Sequence, residues 1–326
     1  MISKKLKKKL KELQRLEGKK QFANLAFDMP FKKTFGSEGE EEPLIAMLNV
    51  CLESELAYPI TKVCILNPYI IGQTKRNRKA ELDIRCKDSN GNEFIVEMQI
   101  GKQKHFVKRA AFYSSSTIVS SAPKDKDKQW DFNFPNVYSL NFLHFDLPVW
   151  KDSDDIIHPL SYVDKTMPEL RFDFSNLVFV RLSKFNKTLT ECDTLKDKLL
   201  FAIKHAHEFD EQPEELCGQL FDKIFQSAKI ANFTFMEHAE YRSSLMRSWD
   251  EYARIKCAEE EGWETGLAKG MEKGMEKGMA KGMEKGLTKG MAKGVAIGEA
   301  RGRNEILNLM AQGYDHKQIK EILKSR

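Results

Sequence analysis

A chain of 326 residues with 41% hydrophobic content can bury a sizeable core and carry a second module, and its net charge of +5 is too small for a uniformly basic surface. It contains no run of about 18 or more apolar residues, and residues 1–21 are lysine-rich without an apolar stretch. From these features neither a spanning helix nor a secretory leader is expected, and a cytoplasmic protein that stays off the membrane is expected. Cysteines 51, 64, 86, 192, 217 and 257 include no Cys-x-x-Cys pair, which favours reduced thiols over a zinc site or a disulfide framework.

Residues 1–23 form a basic arm in which Lys4, Lys5, Lys7, Lys8, Lys9, Lys11, Arg15, Lys19 and Lys20 outnumber Glu12 and Glu17. Such an arm can track phosphates through counterion release, with salt-sensitive, sequence-blind affinity. Equally, Leu6, Leu10, Leu13 and Leu16 give it the stripe of an amphipathic helix that packs on something. A helix near 43–56 and a strand near 61–72 follow, then a basic loop with Lys75, Arg76, Arg78 and Lys79.

The next stretch, residues 80–100, reads as a hairpin. Residues 80–87 alternate, with Leu82, Ile84 and Cys86 on one face and Glu81, Asp83, Arg85 and Lys87 on the other. Residues 93–100 place Phe94, Val96, Met98 and Ile100 opposite Ile95, Glu97 and Gln99. A two-residue Asn90-Gly91 turn would set Asp83 against Met98 and send the two acids to opposite faces. A three-residue loop Ser89-Asn90-Gly91, with Gly91 left-handed, pairs Asp83 with Glu97 and puts the apolar residues of both strands together. Burying one apolar face therefore forces two carboxylates to meet. A divalent cation between them is one solution; a solvated polar face with Arg85 and Lys87 as partners is the other.

A helix near 103–121 and a strand near 136–146 complete an α/β order with a mixed sheet, with an exposed loop at 124–128 between them. A strand near 177–182 precedes helices near 193–209, 213–229 and 235–261, expected as a helical subdomain on the core. His205 and His207 read as exposed helix positions. From Gly262 to Gly302 glycine recurs every fourth residue, followed by Trp263, Leu267, Met271, Met275, Met279, Met283, Leu287, Met291 and Val295. A four-residue repeat advances its stripe by roughly 40° each time, so no straight seam forms, and eleven glycines cost on the order of 10 kcal/mol in helix propensity. An exposed helical spacer that self-associates and a disordered linker both fit. Residues 304–326 read as two short helices broken at Gly313.

The order acid, strand, turn, strand, Glu-x-Gln resembles the PD-(D/E)xK nuclease superfamily, and within it the Rpn-type family of recombination-promoting nucleases and transposase-like proteins. The resemblance extends to the opening segment Asp28-Met-Pro-Phe-Lys-Lys-Thr-Phe-Gly36 and its following helix, to Phe106, Arg109 and Tyr113 on the helix after the motif, and to the strand around 137–145. It covers roughly residues 24–300. It implies an α/β restriction-endonuclease-like core with a mixed sheet flanked by helices over 24–190, followed by the helical subdomain (191–261), the Gly-x-x-x repeat (262–303) and the C-terminal segment (304–326). It further implies a DNA endonuclease using Mg²⁺ or Mn²⁺, in which Asp83, Glu97 and the main-chain carbonyl of Met98 hold the metal. Asp83, Glu97 and Gln99 form the catalytic set, Lys75, Arg76, Arg78, Lys79 and Arg109 contact DNA, and Asp28, Lys32 and Tyr113 support them. The chain departs from the superfamily pattern at two positions: Leu82 stands where the name has proline, and Gln99 where it has lysine. An amide orients water but brings no charge, so lysine at 99 is expected to preserve or raise activity. A catalytically weak or inactive DNA-binding protein, and an assembly protein acting through its tail, are the competing readings.

Overall fold

The computed structural model describes residues 20–70, 80–122 and 129–324. The arm as far as residue 19 and the basic loop with Lys75, Arg76, Arg78 and Lys79 lie outside the described residues, as does the 124–128 loop. The chain divides into two compact units, residues 1–250 and 251–326.

In the first unit, apolar residues at helical and strand spacing build a sheet covered on both faces. Helices α1 (Asp28–Phe35) and α2 (Glu42–Cys51) come first, then β1 (Val63–Ile65), β2 (Tyr69–Ile70), β3 (Ala80–Glu81), β4 (Ile84–Asp88) and β5 (Glu93–Gln99). Helix α3 (Phe106–Ser121) leads to β6 (Val137–Leu143), β7 (Ile157–Val163) and β8 (Arg171–Arg181), and α4 (Leu195–His205) and α5 (Gln219–Ala228) follow. The six-stranded sheet has the order β1-β4-β5-β6-β8-β7. Strands β5, β6 and β8 run parallel; the outer pairings are antiparallel.

One face of the sheet presents Ile84, Cys86, Phe94, Val96, Tyr138, Leu140, Phe142, Val178 and Val180. Against it lie Phe31 and Phe35 of α1, Leu44, Met47 and Leu48 of α2, Leu199 and Ile203 of α4, and Phe221, Ile224 and Phe225 of α5. Each such side chain contributes roughly 1.5–3 kcal/mol by leaving water. Residues 191–228, expected as part of a helical subdomain on the core, bury their apolar faces in that core. The other face is covered by α3, whose buried positions Phe106, Ala110, Ser114 and Thr117 repeat at helical spacing. Two smaller apolar clusters lie there, Phe106, Ala110, Leu143 and Phe179 in one and Ile70, Leu82, Ile95 and Val137 in the other. Among the buried polar groups on this face, Ser114 bonds Ser175 at 2.8 Å, and the Asn141 amide donates to the Ser139 and Val178 carbonyls.

Several sequence expectations are corrected. The strand expected near 61–72 is two short strands that join different sheets. The run 80–87 is also interrupted: β3 pairs with β2, and β4 begins only at Ile84. Leu82, expected beside Ile84 and Cys86, instead packs with Ile95 and Val137 on the opposite face. Strand β7 gave no signal because it is an edge strand containing Pro159, with Leu160, Tyr162 and Val163 exposed, so burial imposes no alternation on it. The arm as drawn to residue 23 ends inside the core, since Phe22 and Ala23 are buried and Ala23 N–H donates to the Ala228 carbonyl.

The second unit contains most of α6 (Phe235–Ala311), whose first turns belong to the first unit, and α7 (His316–Lys324). The helix expected over 235–261 therefore continues through the whole glycine repeat, and its Met, Leu and Trp stripe is exposed. The break expected at Gly313 is present, with φ +89. Asp315 caps α7 by accepting from Lys317 and Gln318 N–H, and the Gln318 side chain accepts from Asp315 N–H in return. Among the described residues no helix is long and apolar enough to cross a membrane.

His205 and His207 are partly buried rather than exposed, and their charges would act on His144 after β6. His144 Nε2 and His207 Nδ1 are buried without a partner among the described residues. Burial, then Lys204 for His144 and Lys20 for His207, lowers both imidazoles from 6.5 to about 4. An unfolded chain takes up these protons near 6.5, so the stability tied to neutral imidazoles is present above that pH and lost as pH falls toward 4. The urea midpoint should fall across this window, and His144→Gln should flatten the fall. Parallel pH profiles for the two proteins would refute the assignment.

Candidate active site

The register of the hairpin decides what meets at its open end. Ile84 pairs with Val96 and Cys86 with Phe94, and Lys87 pairs with Glu93, which places Asp83 across from Glu97. The loop is Ser89-Asn90-Gly91: Asp88 N–H donates to the Asn92 carbonyl at 3.0 Å, and Gly91 has φ +91. Asp88 fastens this loop by accepting from the backbone N–H of Asn90 and Asn92. The three-residue loop and the Asp83–Glu97 pairing are therefore as the sequence pattern requires.

The ladder also explains why Asp83 leaves the strand. The bonded pair Asp88 and Asn92 fixes the even positions of β5 as those that bond toward β4, so the next pairs are 86 with 94, 84 with 96, and 82 with 98. The last is not made, because Leu82 N–H donates instead to the Pro68 carbonyl at 3.1 Å. Met98 N–H, left without its ladder partner, donates to Asp83 Oδ2 at 2.7 Å. The carbonyl of Met98 points to the same edge, since one residue's N–H and C=O share a side in a strand. Glu97 Oε1 accepts from Asp83 N–H at 3.3 Å, and the Glu97 side chain is only 3% exposed. Burial holds both carboxyls above the usual carboxylate range. Asp83 raises Glu97 further, whereas the Met98 hydrogen bond lowers Asp83.

The partner that an ordinary polar face would need is taken elsewhere. Arg85 donates to Glu93 Oε2 at 2.7 and 2.9 Å and to Ser120 Oγ at 3.2 Å. Lys87 is exposed at the loop. Among the described residues the cation in contact is Arg109 of α3, whose Nη2 lies 3.5 Å from Glu97 Oε2. Its other donors reach Gln99 Oε1 at 3.2 Å, Gln103 Oε1 at 3.0 Å and the Tyr113 hydroxyl at 2.9 Å. Gln99 Nε2 donates to the Gly101 carbonyl at 3.2 Å. From α1, Lys32 pairs with Asp28 at 2.9 Å, and both act electrostatically on Asp83. The structure thus brings together Asp83, Glu97, Gln99, Arg109 and Tyr113, with Asp28 and Lys32 beside them. Gln103 was missed; its signal was only a polar residue six positions before Arg109, ahead of the start of α3.

Among the described residues no cluster of three or more His, Cys, Asp or Glu side chains is close enough to hold an ion. The donor set is instead two carboxylates and a main-chain carbonyl. That set fits Mg²⁺, which takes one or two carboxylates and fills its remaining positions with water and substrate phosphate.

The model of the PD-(D/E)XK nuclease family transposases matches residues 25–258, well over half of the 326-residue chain. No curated protein and no solved structure matches it.

The two facing acids should destabilise the metal-free fold, because like charges are held together away from water. In EDTA at pH 8, Glu97→Gln keeps the acceptor for Asp83 N–H and should melt a few degrees higher than wild type, a gain of about 1 kcal/mol. A lower melting temperature would mean that Arg109 already offsets the repulsion.

Proposed function

The chain belongs to the PD-(D/E)XK nuclease family of transposases, and we propose that it is a metal-dependent DNA endonuclease that acts in the cytoplasm and whose cuts promote DNA recombination. The observation that carries this reading is the carboxylate pair, half-buried Asp83 and buried Glu97, facing each other where the ladder breaks, with the Met98 carbonyl on the same edge. Asp83, Glu97 and that carbonyl would hold Mg²⁺ or Mn²⁺. The ion, when bound, supplies Lewis-acid charge at the phosphate and a lowered pKa for water.

In the hydrolysis, the oxygen of a water forms a bond to phosphorus while the bond from phosphorus to one sugar oxygen breaks. The water gives a proton to solvent, and the leaving oxygen takes one up. The chain's own part is to place the acids, to exclude water behind Glu97 by packing α3 on the sheet, and to hold the phosphodiester. Lys75, Arg76, Arg78 and Lys79 supply sequence-blind phosphate charge just before the Asp83 segment. Asp28 and Lys32 set the field around Asp83. Gln99 stands at the third motif position and brings no charge to it. That absence favours the second reading, a nuclease-fold DNA-binding protein with weak or no turnover. We assign self-association to the repeat, whose apolar stripe from Trp263 to Val295 is exposed along α6.

Asp83→Ala or Glu97→Ala should reduce cleavage of supercoiled plasmid in Mg²⁺ or Mn²⁺ to background while DNA affinity in EDTA stays within about threefold of wild type, because phosphate contacts supply the affinity. Cleavage at the wild-type rate by either variant would remove the site assignment. Deleting residues 262–326 should leave cleavage largely intact and reduce the size seen by gel filtration. Lost catalysis in a folded protein would place part of the active site in the tail, and an unchanged size would make the tail a passive spacer.

A further inference from the structure

Phosphoryl transfer gathers negative charge on the phosphate oxygens, and an enzyme meets it with fixed positive charge. The superfamily motif provides a lysine for this, and here the position is Gln99. Both ends of the Gln99 amide are already engaged, and neither carries charge. Its oxygen accepts from Arg109 Nη1, and its nitrogen donates to the Gly101 carbonyl.

Arg109 is held from several directions at once. Nη1 is shared between Gln99 and Gln103, and Nε donates to the Tyr113 hydroxyl. The guanidinium lies 5.1 Å from the centre of the Tyr113 ring and 5.8 Å from that of Phe106. Phe106, Arg109 and Tyr113 share one face of α3 at helical spacing. Only Nη2 makes a long contact, 3.5 Å to Glu97. A hydrogen bond of that length is weak, so a phosphate oxygen can replace it at little cost.

Building on the nuclease reading, we propose that Arg109 is the catalytic cation of this centre, filling in space the place that lysine fills in the motif. Gln99, Gln103 and Tyr113 are positioning residues that fix its guanidinium beside Glu97. Arginine stays charged throughout, so no proton passes through it; it stabilises the charge that builds on the phosphate as the new bond to phosphorus forms and the old one breaks. This reverses the expectation drawn from the motif. A lysine at 99 would set its ammonium against the guanidinium that Gln99 now accepts from, and would displace Arg109 rather than help it.

The test uses the full chain and four variants: Arg109→Gln, Arg109→Lys, Gln99→Lys, and the double variant Gln99→Lys with Arg109→Gln. Plasmid cleavage in Mg²⁺, DNA affinity in EDTA and melting temperature in EDTA are measured on each. Arg109→Gln should lower kcat by roughly a hundredfold or more while DNA affinity moves less than about threefold, and Arg109→Lys should recover part of the loss. Gln99→Lys should cut at least about tenfold slower than wild type and melt lower. The double variant carries a single cation in the same space, and should both cut faster and melt higher than Gln99→Lys alone. Undiminished cutting by Arg109→Gln, or Gln99→Lys cutting as fast as wild type, would overturn the role of Arg109 and leave the nuclease reading standing. A wild-type protein that cuts nothing in Mg²⁺ or Mn²⁺ would overturn the nuclease reading itself.

Discussion

Ile84 and Cys86 on β4, and Phe94 and Val96 on β5, have to reach the same side of one sheet, because that side is where α1, α2, α4 and α5 bury their own apolar stripes. A strand alternates with period two, so only one parity of pairing satisfies both strands. Gly91, at φ +91, is the residue that lets a three-residue loop deliver that parity. Everything at the other end of the hairpin is a consequence. Asp83 comes opposite Glu97 because the core is apolar, and the core gains nothing from the acids themselves. Their repulsion is borne by a fold whose stability comes from Phe94 stacked on Tyr138 at 5.2 Å and from the aromatic contacts of α1.

A second constraint sharpens the first. If β4 continued through Leu82, Met98 would bond to backbone on both its groups and Asp83 would be one more alternating side chain. Leu82 instead donates to Pro68 and turns its side chain toward Ile95 and Val137. The break gives Asp83 the Met98 N–H and diverts the Leu82 N–H away from the Met98 carbonyl, which lies on the same edge. Backbone hydrogen bonding, diverted at one residue, converts a hairpin end into a set of oxygens. α3 then closes the face, bringing Arg109 to the acids while its neighbours Phe106 and Ala110 pack on Leu143 and Phe179.

The sequence carried much of this where burial is one-sided or a turn demands a particular residue. The hairpin loop, the Asp83–Glu97 pairing, helix α3, strand β6, and the break at Gly313 were all legible, because alternation or a left-handed glycine leaves a mark. What could not be read was set by long-range partners. The interruption at Leu82 depends on Pro68, fourteen residues earlier in the chain. Strand β7 depends on β8 for its pairing and is otherwise exposed. The commitment of Arg85 to Glu93, which removes it from Asp83, follows from two strand positions that a charge pattern leaves equivalent. The hub at Arg109 was not legible, because Gln99, Gln103 and Tyr113 converge on its guanidinium only once α3 packs on the sheet. In the repeat, the period of four stacks lysine on lysine from Lys273 to Lys293 and exposes the Met row. Local propensity therefore argued against the helix that α6 forms.

The hairpin end is the proposed binding site of a divalent ion. Mn²⁺ added to isotope-labelled full-length protein reports this directly, because its unpaired electrons broaden amide signals close to it. The signals of Asp83, Glu97 and Met98 should disappear first, at substoichiometric ion, followed by those of Gln99 and Arg109, and Asp83→Asn with Glu97→Gln should abolish the effect. Selective broadening elsewhere, with the hairpin signals intact, would contradict the proposed site.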